Sequence, residues 1–404
     1  MTEIPDVHQA EPIPESARAE IEALMSSADL FRYTSEDSPV SRLEEAFAAK
    51  MGVNYAVAVA SCSAALFLSL KSLDLPRGAR VLIPGFTFAA VPSSVVHADC
   101  VPVLAEVGTN YRIDIADFEA KLDTADAVMI SHMRGHTSDM DAIMTLAAAK
   151  GIPVVEDAAH SLGTLWNGKK IGTLGQIGCF SFQSYKMLNA GEGGMLITND
   201  PDIAARAVIM SGAYEHNWKK HPAQSADLSA AFSRWQNQLP LYNTRMSNLS
   251  AVVIRPQIDE LESRCRRGLR NHDHMAELLN ATPYFNVPAP LSQEQRAPDS
   301  IQFNLVDFSD EEARALVQEL KARKLGAQVF GLSTDNARAF WNWKFLPPES
   351  IPTGDLPQTR SMLMRACDVR LPVRLSLEEV EAVGEAVIDA ARSAKSDAHH
   401  VAAE

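Results

Sequence analysis

Residues 154–199 read VVEDAAHSLGTLWNGKKIGTLGQIGCFSFQSYKMLNAGEGGMLITN. The stretch opens on a short apolar run that ends in the carboxylates of Glu156 and Asp157. In parallel sheets ligands collect beyond the carboxyl ends of the strands, so an acid at that place faces a site. An Asp ahead of Ala-Ala-His is also a good helix N-cap, and the residues alone leave both roles open. Lys186 follows Phe180-Ser181-Phe182-Gln183-Ser184-Tyr185. A lysine on so apolar an approach is poorly solvated; desolvation lowers its pKa and frees the amine for imine formation. A lysine that lays its stem along the surface to reach water is the competing role. The neighbouring Gly191-Glu192-Gly193-Gly194 favours the first, because three glycines in four positions mark unusual backbone angles or close approach.

To the N-terminal side, apolar runs alternate with helical patterns. Strands are expected at 56–60, 81–84, 101–106, 127–131 and 153–157, with helices from about 63 and over 89–97, 115–122 and 139–150. That rhythm predicts an α/β fold with a mostly parallel sheet and helices on both faces. Ser61-Cys62-Ser63-Ala64-Ala65 falls between a strand and a helix, where free amides and hydroxyls form an anion site or simply cap the helix. Past residue 199 the rhythm changes. Residues 214–238 carry aromatics but few strand signals, and a helix over 247–279 contains Pro256, which must kink or split it. From about residue 300 a smaller α+β unit follows: a strand at 301–305, a helix at 311–324, irregular proline-rich chain at 347–357, a strand at 369–371 and a helix at 377–394. The expected organisation is a mobile arm over 1–25, a large domain over 26–285, a small C-terminal domain over 286–394 and a disordered tail over 395–404.

Composition narrows the function classes. Of 404 residues 46% are hydrophobic, and the formal net charge is −14, so no basic stripe is on hand for a phosphate backbone and nucleic acid is not an expected partner. The five cysteines are scattered and odd in number, which argues against a disulfide framework or structural zinc site and for a reducing compartment. The N-terminal residues are acidic and proline-bearing, unlike a secretory signal, and no apolar stretch is long enough to span a membrane. A cytoplasmic protein without membrane or metal partners is expected.

An acid on one strand end, a dehydrated lysine on another and hydroxyls nearby are the parts of a pyridoxal 5′-phosphate site. The lysine forms the Schiff base, and the acid keeps the pyridine nitrogen protonated so that the ring acts as an electron sink. The segments EDAAHSLG, CFSFQSYK and GEGGMLITND, taken in order, resemble the DegT/StrS family of pyridoxal phosphate-dependent sugar and cyclitol aminotransferases. The resemblance extends to LFRYTSEDSPVSRLEEAFAAKMGVNYAVAVASCSAAL, IPGFTFAAV, GHTSDMDAIMTLAAAKGIPVVEDAA, LYNTRMSNLSAVVIRPQIDEL and VRLPVRLSLEEVE, from about residue 30 to 392. It implies a pyridoxal phosphate transferase of fold type I with a large and a small domain.

Residue by residue, the resemblance implies the following roles. Lys186 is the Schiff-base lysine and proton shuttle, and Asp157 pairs with the pyridine nitrogen. His160 stands where Gln is usual, near the phenolic oxygen. Ser181 binds the phosphate with the amides of Cys62 and Ser63, and Phe88 stacks on the ring. Asn243 reaches the phosphate in a neighbouring subunit, which makes the active unit a homodimer. Cys62-Ser63, His160, Gln183 and the stretch SGAYEHNWKKHPAQ depart from the family pattern, and the role of residues 211–238 is not readable. Gln183, Arg134 and His136 are candidates for substrate contact.

Other features lean structural. His216, Lys219, Lys220 and His221 fit an anion site or a solvated loop; Trp341 and Trp343 suit a small-domain core; His399-His400 lacks metal-ligand partners. The implied reaction is ping-pong amino transfer from L-glutamate or L-glutamine to a nucleotide-linked keto sugar or keto-cyclitol. Three rivals stand beside it: an aminotransferase for an acyclic keto acid or aldehyde, a deoxysugar dehydratase, and a regulatory protein that binds the cofactor without turnover. Similar dehydratases carry His in place of the lysine, so Lys186 speaks against that rival.

Overall fold

The computed structural model describes residues 3–223, 225–347, 350 and 356–401, the side chains of 397–401 excepted. The apolar runs of the N-terminal two thirds form strands β1 (Tyr55–Val59), β2 (Arg80–Pro84), β3 (Val101–Ala105), β4 (Ala127–Ser131) and β5 (Val154–Asp157). Two short strands follow, β6 (Leu165–Trp166) and β7 (Lys169–Lys170), and then β8 (Ile177–Ser181) and β9 (Gly194–Thr198). The main sheet has the order β1-β9-β8-β5-β4-β2-β3. β2 runs parallel to β3 and β4, β4 to β5, and β5 to β8, while β9 lies antiparallel between β8 and β1. Only β9 opposes the common direction, so the carboxyl ends of β1, β2, β4, β5 and β8 meet at one edge. β1, β4, β5, β8 and β9 are buried at every position, which is why they read as continuous apolar runs rather than alternating ones.

The helices of this part are α1 (Ser16–Ser27), α2 (Pro39–Met51), α3 (Cys62–Ser72), α4 (Ala90–His97), α5 (Ile115–Leu122), α6 (Met140–Lys150), α7 (Pro201–Met210), α8 (Ala226–Trp235), α9 (Asn248–Ile254) and α10 (Leu261–Asn280). Side-chain caps fix many starts: Ser38 for α2, Ser61 for α3, Asp114 for α5, Asp139 for α6 and Asp200 for α7. The helix expected over 247–279 is split. α9 gives way to a 3-10 turn, Arg255–Ile258, at Pro256, whose missing N–H and ring cannot continue the α-helical ladder.

The smaller unit contains β10 (Phe285–Asn286), β11 (Glu294–Gln295), β12 (Ser300–Leu305), β13 (Gln328–Val329) and β14 (Ala366–Arg370), with α11 (Asp310–Ala322), α12 (Pro357–Leu363) and α13 (Leu377–Val401). Its antiparallel sheet has the order β10-β12-β14-β13, while β11 pairs with β6 and so ties the two units together. No helix among the described residues is long and apolar enough to cross a membrane.

Four expectations about organisation meet differences. The first 25 residues, from Glu3 on, are packed rather than free: Val7 is fully buried in the smaller core, and buried Asn189 and Arg264 donate to the carbonyls of Glu11 and Pro12. Residue 285 is not a clean boundary, because Met275 and Leu279 of α10 already belong to the smaller core. Conversely, Phe330, Phe340, Trp343, Leu356 and Leu363 return to the larger core, and Trp341 packs against it, so the two tryptophans are not small-domain core. Finally, α13 continues to Val401 through helix-forming Ala and Lys, past the expected frayed start at 395; residues 402–404 and the side chains of His399 and His400 lie outside the described residues. Most of the proline-rich 347–357 also lies outside them.

The glycine cluster separates into two roles. Gly191 has φ +76° with open space around it, whereas a Cβ on Gly194 would sit 2.3 Å from the Ser61 carbonyl carbon and 2.5 Å from the Cys62 nitrogen. β9 therefore presses directly on the turn that starts α3. Gly194→Ala should destabilise the fold by about 2 kcal/mol or more, since backbone must move, and Gly191→Ala by only about 1 kcal/mol. Urea denaturation of the two variants checks the order; equal losses would contradict it.

Candidate active site

The strand ends converge on a cavity of about 500 Å³. Ser61, Cys62 and Ser63 follow β1, Phe88 follows β2, Arg134 follows β4, Asp157 and His160 come from the end of β5, and Ser181, Gln183 and Lys186 from the end of β8. Nine of the residues singled out in the sequence line it: Cys62, Ser63, Phe88, Arg134, Asp157, His160, Ser181, Gln183 and Lys186. Asp157 and Lys186 both line this cavity, and no helix begins after Asp157.

Strand alternation sorts the acid pair. Glu156 is fully buried behind the site, where it accepts from the amides of Gly172 (2.9 Å), Leu174 (2.7 Å) and Gly175 (2.7 Å) and faces His132 at 3.3 Å. It pins the β7–β8 loop. Asp157, one residue on, accepts from Ser131 Oγ at 2.8 Å, the Ala159 amide at 3.2 Å and the Cys62 thiol at 3.9 Å. Burial raises the Cys62 thiol well above its ordinary pKa, with the Asp157 charge adding to it, so the thiol stays a donor. Asp157 has no ion-pair partner among the described residues. A buried carboxylate left with neutral donors is suited to meet a cationic ring nitrogen.

Lys186 sits in a turn after β8. Its Nζ lies 2.7 Å from Nε2 and 3.2 Å from Nδ1 of His160. Burial, assisted by the Arg134 charge, lowers the lysine to about 8. The same factors act on His160: burial and then the Lys186 charge push it well below the usual histidine range, with Arg134, Arg338 and Arg370 adding to the effect. The imidazole is therefore neutral and accepts from the amine. Ser61 caps α3 by accepting from Ala64, and Cys62 and Ser63, whose amides open the helix, line the cavity together with Ser181. Half-exposed Phe88 supplies a flat apolar wall. These residues fit pyridoxal phosphate: a nucleophilic amine, an acid for the ring nitrogen, an anion cradle at a helix start and an aromatic face.

Two predicted residues are placed elsewhere. His136 is buried outside the cavity, where it accepts from Arg296 Nη2 at 3.1 Å and packs edge-on against Tyr111. Burial and the Arg296 charge hold it well below the ordinary histidine pKa, so it is a neutral core acceptor and not a substrate contact. Asn243 lies in a left-handed turn (φ +53°) and does not line the cavity of its own chain. The 211–238 segment is likewise separate: His216 and Trp218 line a different, smaller cavity, and His221 is buried against the Ala56 carbonyl at 3.0 Å.

The cavity also contains residues the sequence did not single out, chiefly Tyr185, Glu192, Arg338 and Arg370. Arg370 closes β14 within VRLPVR, a segment quoted only as a resemblance. Arg338 belongs to no motif. It arrives because the chain after β13 returns to the larger core, with Ala339 bridged to Phe86 after β2.

Comparison with known proteins agrees with this arrangement. GDP-perosamine synthase of Vibrio cholerae is 30% identical over 225 residues, 55% of this chain and 58% of that protein. L-glutamine:scyllo-inosose aminotransferase of Streptomyces griseus is 30% identical over 250 residues, 61% of this chain and 58% of that protein. The chain thus spans under two thirds of the length of each of these two relatives. The solved structure of E. coli GDP-4-keto-6-deoxy-D-mannose-3-dehydratase with bound hydrated PLP superposes with a TM-score of 0.82 at 19% identity, covering 96% of this chain and all of that one, a likeness of fold. The model of the DegT/DnrJ/EryC1/StrS aminotransferase family matches residues 14–388. With α1 through α12 and the first part of α13 inside that match, the chain belongs to the DegT/DnrJ/EryC1/StrS aminotransferase family.

Proposed function

We propose that the chain is a pyridoxal phosphate-dependent aminotransferase that moves an amino group from L-glutamate or L-glutamine to the keto group of a nucleotide-linked sugar or a cyclitol, by a ping-pong sequence. The observation that carries this reading is one cavity holding both a lysine amine drawn down to about 8 and a buried carboxylate with no ion pair among the described residues. When bound, pyridoxal phosphate supplies an electron-withdrawing ring that stabilises negative charge on the donor carbon.

The chain's own residues do the rest. Lys186 would hold the cofactor's aldehyde and, with its amine free, would carry a proton to and from the donor Cα. His160, kept neutral, accepts from Nζ and fixes where the amine points. Asp157 would keep the ring nitrogen protonated, and Phe88 would offer its face to the ring. Ser63, Ser181 and the first amides of α3 would receive the phosphate. A lysine at 186 supports transfer over dehydration, and the names of the two relatives, a GDP-perosamine synthase and a scyllo-inosose aminotransferase, support sugar-like or cyclitol acceptors. The position of Asn243 outside its own cavity supports a homodimer in which it serves the partner's phosphate. Five unpaired cysteines support a reducing, cytoplasmic setting.

Two outcomes are expected. Below about pH 8 Lys186 is an ammonium, so the rate at which the apoprotein takes up pyridoxal phosphate as a Schiff base, followed by absorbance, should fall about tenfold per pH unit below that value and level off above it. Lys186→Ala should show no such absorbance at any pH. Asp157→Asn keeps the shape and an acceptor for Ser131 but cannot hold the ring proton; it should lower amino transfer by about 10²-fold or more with little change in melting temperature.

A further inference from the structure

Three guanidinium groups line the cavity: Arg134 from the turn after β4, Arg338 from the chain after β13 and Arg370 from the end of β14. One carboxylate is ion-paired with two of them. Asp368 Oδ2 lies 2.5 Å from Arg134 and 3.8 Å from Arg338. Arg370 has neither a hydrogen bond nor an ion pair among the described residues; its guanidinium carbon stands 4.0 Å from the centre of the Tyr185 ring. The Nε atoms of all three arginines are buried without a partner. Beyond them lies a second cavity of about 230 Å³, lined by the same three arginines and Asp368 together with His8, Leu325, Gly326 and Gln328. The arginines therefore form a cationic partition between the catalytic cavity and this smaller space.

Asp368 pairs with Arg134 and Arg338, and the Asp299 and Glu11 carboxylates act on Arg370 only from beyond ion-pair distance, so the partly buried Arg370 guanidinium is completed best by an anion in direct contact. The phosphate cradle does not do so, since it is built from Ser63, Ser181 and the start of α3. Stacking on Tyr185 holds the Arg370 plane and leaves its edge donors free, the geometry that grips a carboxylate with two parallel hydrogen bonds.

We infer that Arg370, with Arg338 beside it, forms a carboxylate subsite that positions the substrate over the Lys186 amine. The inference rests on the aminotransferase reading and adds the chemical group the pocket recognises. Asp368, already within 3.8 Å of Arg338, supplies the counter-charge when the bound substrate lacks a carboxylate, so one cavity accommodates an anionic and a neutral partner in turn. The carboxylate comes from the amino donor or from the acceptor.

The test uses the holoenzyme and its Arg370→Gln, Arg370→Lys and Arg338→Gln variants. Glutarate, an unreactive dicarboxylate, is the binding probe in calorimetry. Wild type should bind it at least tenfold more tightly than Arg370→Gln or Arg338→Gln, with Arg370→Lys between because it keeps charge but loses the fork. Single-turnover absorbance changes then separate the sources. If the donor carries the group, Arg370→Gln slows the half-reaction with L-glutamate about 10²-fold at subsaturating substrate and spares return by the neutral ketone scyllo-inosose. If the acceptor carries it, the L-glutamate half-reaction is spared and return by a ketone that bears a remote carboxylate, 4-oxopentanoate, is slowed. Glutarate affinity equal in all four proteins, or both half-reactions unchanged in Arg370→Gln, overturns the subsite. Failure of wild type to hold the cofactor on Lys186 would instead overturn the aminotransferase reading, and glutarate calorimetry repeated on the four apoproteins then reads the subsite by itself.

Discussion

A lysine becomes a nucleophile near neutral pH only when its ammonium form is made unfavourable, and here burial beside other cations does this. Lys186 leaves an apolar strand, enters a cavity already occupied by the Arg134 charge, and finds a neutral histidine instead of a carboxylate at hydrogen-bond distance. The same positive surroundings that lower the amine also keep His160 uncharged. The two effects reinforce each other: an imidazolium beside Nζ would repel the ammonium, whereas the neutral ring accepts from it and orients it.

That arrangement depends on the sheet. Because six of the seven strands share a direction, loops far apart in sequence deliver their side chains to one edge. Small packing details then set the height of each group. Gly194 lets β9 approach the start of α3, and Glu156 anchors the β7–β8 loop so that Asp157 emerges at a fixed position beside it. Two adjacent carboxylates thus have separate fates. One completes the backbone of a loop, and the other is left for the chemistry.

The large unit, Asp157, Lys186 and the Ser61–Ser63 turn were legible in the sequence because their signals are local, whereas Phe88, His160, Ser181 and Gln183 came only from the family resemblance. An apolar run ending in an acid, a lysine after a buried strand and a serine pair before a helix each carry their physical reason within a few residues. What escaped depends on distant contacts or on loop twist. Arg338 reaches the cavity only because Phe330, Phe340 and Trp343 prefer the larger core, which no local pattern announces. His136 stands two residues from Arg134, yet positive φ at Arg134 and Gly135 turns the loop so that one side chain enters the cavity and the other enters the protein. The N-terminal stretch looked free because its composition is polar and proline-bearing, but its carbonyls satisfy buried Asn189 and Arg264, partners invisible without the fold.

The most direct measurement is to load the protein with pyridoxal phosphate, reduce it with borohydride and map the modified peptide by mass spectrometry. The account predicts a single pyridoxyl adduct on Lys186, present in wild type and missing after Lys186→Ala. An unmodified Lys186 peptide, or an adduct distributed over Lys219, Lys220 and other surface lysines, would contradict it.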